Sequence, residues 1–156
     1  MDLRNVLVAF LMLLGFSEIP HKEDILKPAQ EASISIDDLD CLIKNAYHEA
    51  FGEGPLGMAV VTQVVINRAQ KTRESLCETV FKYKQFSWTL GREKTLSQDS
   101  YERTKSTVLA VYYGFMEIPS HLKNATHFHT LQVKPYWSKS LKRLGVLKNH
   151  VFYEGV

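Results

Sequence analysis
Leu39, Leu42, Ile43, Ala46, Tyr47 and Ala50 recur at the i, i+3, i+4 spacing of one helical face. The pattern predicts a helix over residues 37–51, which Asp37 or Asp38 can cap. Gly52 and Gly54 can end it, and Pro55 can open the next. Residues 56–70 are apolar on most sides, through Met58, Ala59, Val60, Val61, Val64, Val65 and Ile66. A helix of that kind is expected to be buried. Within it Gln63 and Asn67 lie four apart and share a face, and buried amides need partners. A third helix is predicted over residues 97–115. Ser97 can cap it, Asp99 suits its first turn, and Tyr101, Thr104, Val108, Val111 and Tyr112 form its inner stripe. Residues 125–133 and 150–153 read as short strands, with a helical turn over residues 135–144 around Tyr136 and Trp137. Helices in series with one small sheet predict an α+β class, mainly α, with the β element near the C-terminus.

The N-terminus breaks this amphipathic rhythm. Residues 6–16 read VLVAFLMLLGF, an uncharged run after Arg4. It is shorter than the roughly 20 apolar residues a helix needs to span a bilayer. It fits the apolar core of a secretory signal. Asp2 dilutes the positive start, and no small-x-small cleavage site precedes Glu18 and Pro20. An uncleaved, weak membrane anchor and a buried N-terminal helix are the alternatives. The expected plan is a signal-like or anchor segment over residues 1–20, a polar linker over 21–36 and a folded domain over 37–156.

The chain has 156 residues, 45% of them hydrophobic, which is enough for one domain with a sizeable core. A formal net charge of +2 gives no argument for a nucleic-acid partner. Between residues 118 and 153, however, there is no Asp or Glu, while Lys123, Lys134, Lys139, Lys142, Arg143 and Lys148 all occur. That basic stretch is either a solvated face or an attraction to an anionic polymer or lipid. The two cysteines, Cys41 and Cys77, permit one disulfide in an exported chain or two buried thiols.

Candidate chemistry starts at Glu49. On the predicted helix it falls about 20° from Leu42, at the edge of the apolar stripe. A carboxyl held there is poorly solvated, its pKa rises, and it becomes useful as a general acid near neutral pH. Glu53 lies near the same face but past a glycine. Two carboxylates that close on one side do not straddle a scissile bond as a standard glycosidase pair does, so a single acid fits better. Gln85, Phe86, Ser87 and Trp88 combine hydrogen-bonding groups with aromatic faces, as sugar binding requires. His127 and His129 alternate on a predicted strand and point to one face. With His48 or Glu49 they can be read as zinc ligands, although the helix lacks the H-E-x-x-H signature. Nothing around Cys77 marks a nucleophile.

Taken in order, these segments resemble a known family. Ala46-Tyr47-His48-Glu49-Ala50-x-Gly52-Glu53 follows Cys41. Then come Ala59-Val60-Val61-x-Gln63-Val64-Val65-Ile66-Asn67-Arg68, Cys77 with Val80-Phe81, and Gln85-Phe86-Ser87-Trp88. Ala125-Thr126-His127-Phe128-His129, Trp137 and His150-Val151-Phe152-Tyr153 complete the set. The order resembles the SleB-type cell wall hydrolases, which include spore cortex-lytic enzymes and bacteriophage domains. The resemblance covers about residues 39–153. It implies a lysozyme-like fold and lytic transglycosylase cleavage of peptidoglycan glycan strands, with Glu49 as acid and base. It needs no metal or organic cofactor. Tyr47, Glu53, Gln63, Gln85, Phe86, Ser87, Trp88, Thr126 and His127 are the expected substrate-binding residues. The family usually has a basic residue where Phe51 stands, commonly a glutamine near Met58, and often cysteines flanking its Q-F-S-W segment. Here Lys84 and Thr89-Leu90 flank it. A short single domain behind an apolar N-terminus looks more like a phage lysis enzyme than a spore enzyme. The expected partner is peptidoglycan, met outside the cytoplasm by a monomer with at most weak membrane association. A zinc amidase using His127 and His129, and a non-catalytic glycan-binding module, are the alternatives.

Overall fold
The computed structural model describes residues 33–91 and 93–155. The expected signal-like segment and nearly all of the expected linker lie outside the described residues. The described residues from Ile34 onward belong to one compact unit. Helix α1 spans Ile36–Ala50. Its cap is Ser35, whose hydroxyl accepts from the Asp38 N–H at 3.1 Å, and not Asp37 or Asp38. Those two carboxylates sit instead in the first turn, where they face the positive end of the helix dipole. A 3₁₀ turn, Phe51–Glu53, follows, and Gly54 at φ 76° makes the left-handed junction into α2, Gly54–Thr72. Pro55 occupies the first turn of α2, as expected.

The apolar surround of α2 has a plain cause: the helix packs on two sides. Val61 and Val65 join Leu42, Ile43, Ala46, Val80, Phe86 and Val108 in one core cluster. Val60 and Val64 join Val111, Leu122, Ala125 and Phe152 in a second. Phe128 packs against both clusters. The Gln63–Asn67 pair also finds partners. Gln63 Nε2 donates to Asn67 Oδ1 at 2.8 Å, and Asn67 Nδ2 donates to the carbonyls of Lys123 at 2.8 Å and Ala125 at 2.7 Å. These amides pin α2 to the segment that leads into the sheet.

Helix α3, Leu76–Phe81, did not register in the apolar pattern because it is short. A signal for it exists in Ser75 and Glu78, which form a reciprocal capping box. The Cys77 N–H donates to Asp38 Oδ1 at 2.8 Å, and a Cys41–Cys77 disulfide, with Cα atoms 5.3 Å apart, fastens α3 to α1. Helix α4, Gln98–Tyr112, is capped by Ser97 as predicted and buries Thr104, Thr107, Val108 and Val111.

Three antiparallel strands close the unit in the order β1-β3-β2. Strand β1 is His127–Thr130, β2 is Lys142–Leu147 and β3 is His150–Glu154. The central strand is buried at His150, Val151, Phe152 and Tyr153. A 3₁₀ turn at Tyr136–Lys139 is shorter than the turn expected over residues 135–144, and β2 takes over from Lys142. Strand β2 escaped the sequence reading because Lys142 and Arg143 begin it and Gly145 interrupts it. Charge and irregularity are the features that keep an edge strand from pairing further. Among the described residues no helix is long and apolar enough to cross a membrane.

Candidate active site
The last turns of α1 present Tyr47, His48 and Glu49 as half-buried side chains between buried Ala46 and Ala50. Burial pushes the Glu49 carboxyl up to about 6, and the Arg68 cation acts in the opposite direction more weakly. Among the described residues no hydrogen bond or ion pair holds this carboxyl. Nothing therefore favours its charged form except the field of Arg68. A carboxyl poised near 6 can be protonated at mildly acidic pH and still lose its proton readily.

Asn45, one turn earlier on α1, is fully buried. Its Oδ1 accepts from Trp88 Nε1 at 3.0 Å. The Trp88 ring stacks on the His48 ring at 4.5 Å and 14°, and Tyr47 meets His48 edge-on at 5.4 Å. Burial lowers the His48 pKa. Asn45 Nδ2 and His48 Nε2 are both buried without a hydrogen-bond partner among the described residues. Tyr47, His48 and Trp88 thus form one aromatic wall beside the glutamate, on the 3₁₀ turn Ser87–Leu90 and the end of α1. Ser87 is exposed. Phe86 corrects the sequence reading. At 3% exposure it belongs to the core, so it has no free face to offer a sugar.

A second group forms where α2 meets the sheet. Arg68 Nε donates to the Thr126 carbonyl, and its guanidinium lies 5.3 Å from the centre of the Phe86 ring. Thr126 is buried; its hydroxyl accepts from the Gly155 N–H at 2.8 Å and sits 3.0 Å from His127 Nδ1. Burial, followed by the Arg68 and Lys71 cations, lowers the His127 pKa to about 4. His127 is therefore neutral at physiological pH. Arg68, Lys71, Gln85, Thr126 and His127 line a cavity of about 250 Å³. Glu49 does not line it; the two are linked through the charge of Arg68.

Other expected site residues have structural work. Glu53 Oε2 accepts from the backbone N–H of Asn149 at 3.1 Å, in the β2–β3 turn. Gln63 is engaged with Asn67. His127 and His129 do share a face, both against Trp137, with ring centres 5.3 and 5.7 Å away. His129 Nδ1 lies 2.8 Å from the Thr130 carbonyl, so it must be the protonated nitrogen, and Nε2 then accepts from the Tyr153 hydroxyl at 3.0 Å. Both ring nitrogens are thereby occupied. Among the described residues no group of three His, Cys, Asp or Glu converges as a metal site requires.

Arg68 and Asn45 were not singled out as site residues from the sequence. A signal for Arg68 was present. It stands three, four and seven positions after Val65, Val64 and Val61, which puts a cation on a buried stripe. For Asn45 the signal is its place four residues before Glu49.

A family model described as Cell Wall Hydrolase matches residues 52–153. The matched span begins beyond Glu49 and includes Arg68, Trp88 and His127. No curated protein matches the chain. Two solved structures are similar in fold. One is the catalytic domain of the germination-specific lytic transglycosylase SleB from Bacillus anthracis, with a TM-score of 0.65 and 19% identity, covering 78% of this chain and 98% of that one. The other is the catalytic domain of the Bacillus cereus SleB protein, with a TM-score of 0.63 and 19% identity, covering 77% of this chain and 91% of that one. This likeness is one of fold. It bears out the mainly helical, lysozyme-like architecture with a small terminal sheet.

Proposed function
The chain belongs to the cell wall hydrolase family, and on that premise we propose that it is a lytic transglycosylase acting on peptidoglycan. Its target is the bond between N-acetylmuramic acid and N-acetylglucosamine, and Glu49 is its single acid and base. The observation that carries this reading is the Glu49 carboxyl itself, raised to about 6 by burial and held by no ion pair among the described residues. A glutamate that only decorated a helix would be solvated.

Glu49 starts protonated and donates to the glycosidic oxygen as the bond from that oxygen to muramic C1 breaks. An oxocarbenium-like centre is left on the muramic ring. The carboxylate then takes the proton of the C6 hydroxyl, whose oxygen bonds to C1 and closes a 1,6-anhydro ring. The proton returns to Glu49, so the cycle closes without water. Trp88, Tyr47 and His48 supply an apolar wall for sugar faces, and the unpaired Asn45 Nδ2 and His48 Nε2 lie in the same neighbourhood. Gln85, Ser87, Thr126 and His127 orient the saccharide.

The substrate lies outside the cytoplasm, and the apolar run at residues 6–16 is the expected route there. The Cys41–Cys77 disulfide supports that destination, because such bonds persist in oxidising compartments. The same proposal places the enzyme in phage lysis of host walls, acting as a monomer. Mass spectrometry of digested peptidoglycan tests the reaction. Anhydromuramic ends are expected. Reducing muramic ends would mean hydrolysis, free stem peptides would mean an amidase, and an unchanged wall would mean a binding module.

A further inference from the structure
Arg68 presents a physical imbalance that glycan cleavage alone does not use. The side chain as a whole is half-buried, but its Nη1 is cut off from solvent and has no hydrogen-bond partner among the described residues. No carboxylate lies within ion-pair distance of it among the described residues. Glu49 feels its charge, yet Glu49 must carry a proton at the start of each turnover. Glu74, on the rim of the same cavity, is already taken by Lys82 at 2.7 Å and Thr72 at 2.9 Å. Lys71 donates to the Gly155 carbonyl and has no acidic partner among the described residues either. His127 faces both cations in the neutral state. A buried cation without a counter-charge is costly, and solvent or carbonyls meet its N–H groups without cancelling its charge.

We propose that the Arg68–Lys71 cavity receives a carboxylate of the peptide stem carried by the muramic acid, so that the enzyme reads stem-bearing glycan and not glycan alone. This rests on the glycan-cleaving reading above and adds the part of the substrate that the cavity holds. The size agrees: about 250 Å³ is below the range of whole small-molecule sites and suits one substituent. The chemistry agrees as well. Arg68 offers the charge of its guanidinium, Lys71 adds a second positive charge, and Gln85 can bond the adjoining amide. With Glu74 and Lys82, which also line the cavity, paired to each other and His127 neutral, the net charge of the wall rests on Arg68 and Lys71. The position agrees too, since the charge that would grip the stem is the one that acts on Glu49.

The test compares three wall preparations: native peptidoglycan, the same material with its stem carboxylates chemically amidated, and glycan strands stripped of stems by an amidase. Native walls should be cleaved with a kcat/KM about tenfold or more above the other two, the scale of a charge-assisted contact. In Arg68→Gln that preference should fall toward unity, and Arg68→Lys should restore part of it. A purely structural role for Arg68 would lower cleavage of all three substrates in parallel and leave the ratio unchanged. If Arg68→Gln does not fold, the wild-type ratios still decide. Equal cleavage of native and amidated walls overturns the proposal while leaving transglycosylation standing. If no glycan bond is cut in any preparation, the functional reading fails, and binding decides the inference separately. A free stem tetrapeptide, titrated into the Glu49→Gln protein, should then shift the His127 ring resonances. Its fully amidated counterpart should not, and equal responses to both would overturn the carboxylate site.

Discussion

The Glu53 carboxylate accepts a hydrogen bond from the backbone N–H of Asn149 at 3.1 Å, across 96 residues of sequence. Two glutamates four positions apart therefore do different work. Glu53 fastens the turn after α1 to the β2–β3 hairpin, while Glu49 has no hydrogen bond or ion pair among the described residues and carries the raised pKa. Glu53→Ala should lower stability by about 1 kcal/mol, the scale of one half-buried hydrogen bond to a charged acceptor. Chemical denaturation measures it. Turnover of the folded fraction should suffer far less than in Glu49→Gln, and a Glu53 variant that was the more damaging to turnover would move the acid to that position.

Glu49→Gln should abolish glycan cleavage and keep the fold. The amide is nearly isosteric but cannot cycle a proton, and the expected loss is about a hundredfold or more. Assay of released muropeptides, with circular dichroism as the control for folding, checks this. Activity above about a tenth of wild type would remove Glu49 from the acid role.

The same substitution should stabilise the protein at neutral pH. Glu49 is protonated in both folded and unfolded chains below about 4.5, so its burial has no ionic penalty there. As pH rises through 4.5 to about 6, the unfolded carboxyl ionises first and folding loses up to roughly 2 kcal/mol, which stays lost above that window. Glu49→Gln carries no such term. Its stability relative to wild type should therefore grow between pH 4.5 and 6.5 in paired urea melts. A constant difference across that range would mean the carboxyl is better solvated than its position indicates.

His127 should titrate far below an ordinary histidine, near 4, when its ring is followed by NMR. Its protonated form is disfavoured in the fold, so stability falls as pH drops from 6.5 toward 4. Lys71→Gln should raise the value only in part, because burial is the larger cause and Lys71 the smaller. Titration near 6.5 in the wild type would place the ring in solvent.

Removing the disulfide by Cys41→Ser with Cys77→Ser should lower stability by about 2–4 kcal/mol, given a separation of 36 residues. Denaturant midpoints of wild type, with and without reductant, should reproduce the shift. An unchanged midpoint would mean that the Asp38 bond to the Cys77 N–H and the packing of Val80 already hold α3 in place.

Much of the architecture was legible because periodicity encodes faces. The stripe from Leu39 to Ala50 implied α1 and put Glu49 at its buried edge, and Ser97 announced α4. The run at α2, apolar on most sides, implied a buried helix, and its neighbours lie on two sides. These are local properties: a residue's place on a helix follows from counting along the chain. Site roles that depend on remote neighbours were not legible in that way. Arg68 became a half-buried cation with a sealed Nη1 only when the Thr126 carbonyl, 58 residues away, and the Phe86 ring closed over it. Phe86 went into the core, and Trp88 stays half-buried against His48 because buried Asn45 holds its N–H. Strand β2 exists because β3 offers it an edge, not because Lys-Arg-Leu-Gly favours extension. The amino-acid order settles which face a side chain is on. Tertiary structure decides what that face meets, and desolvation by those distant neighbours is what turns an ordinary glutamate or arginine into a chemical group.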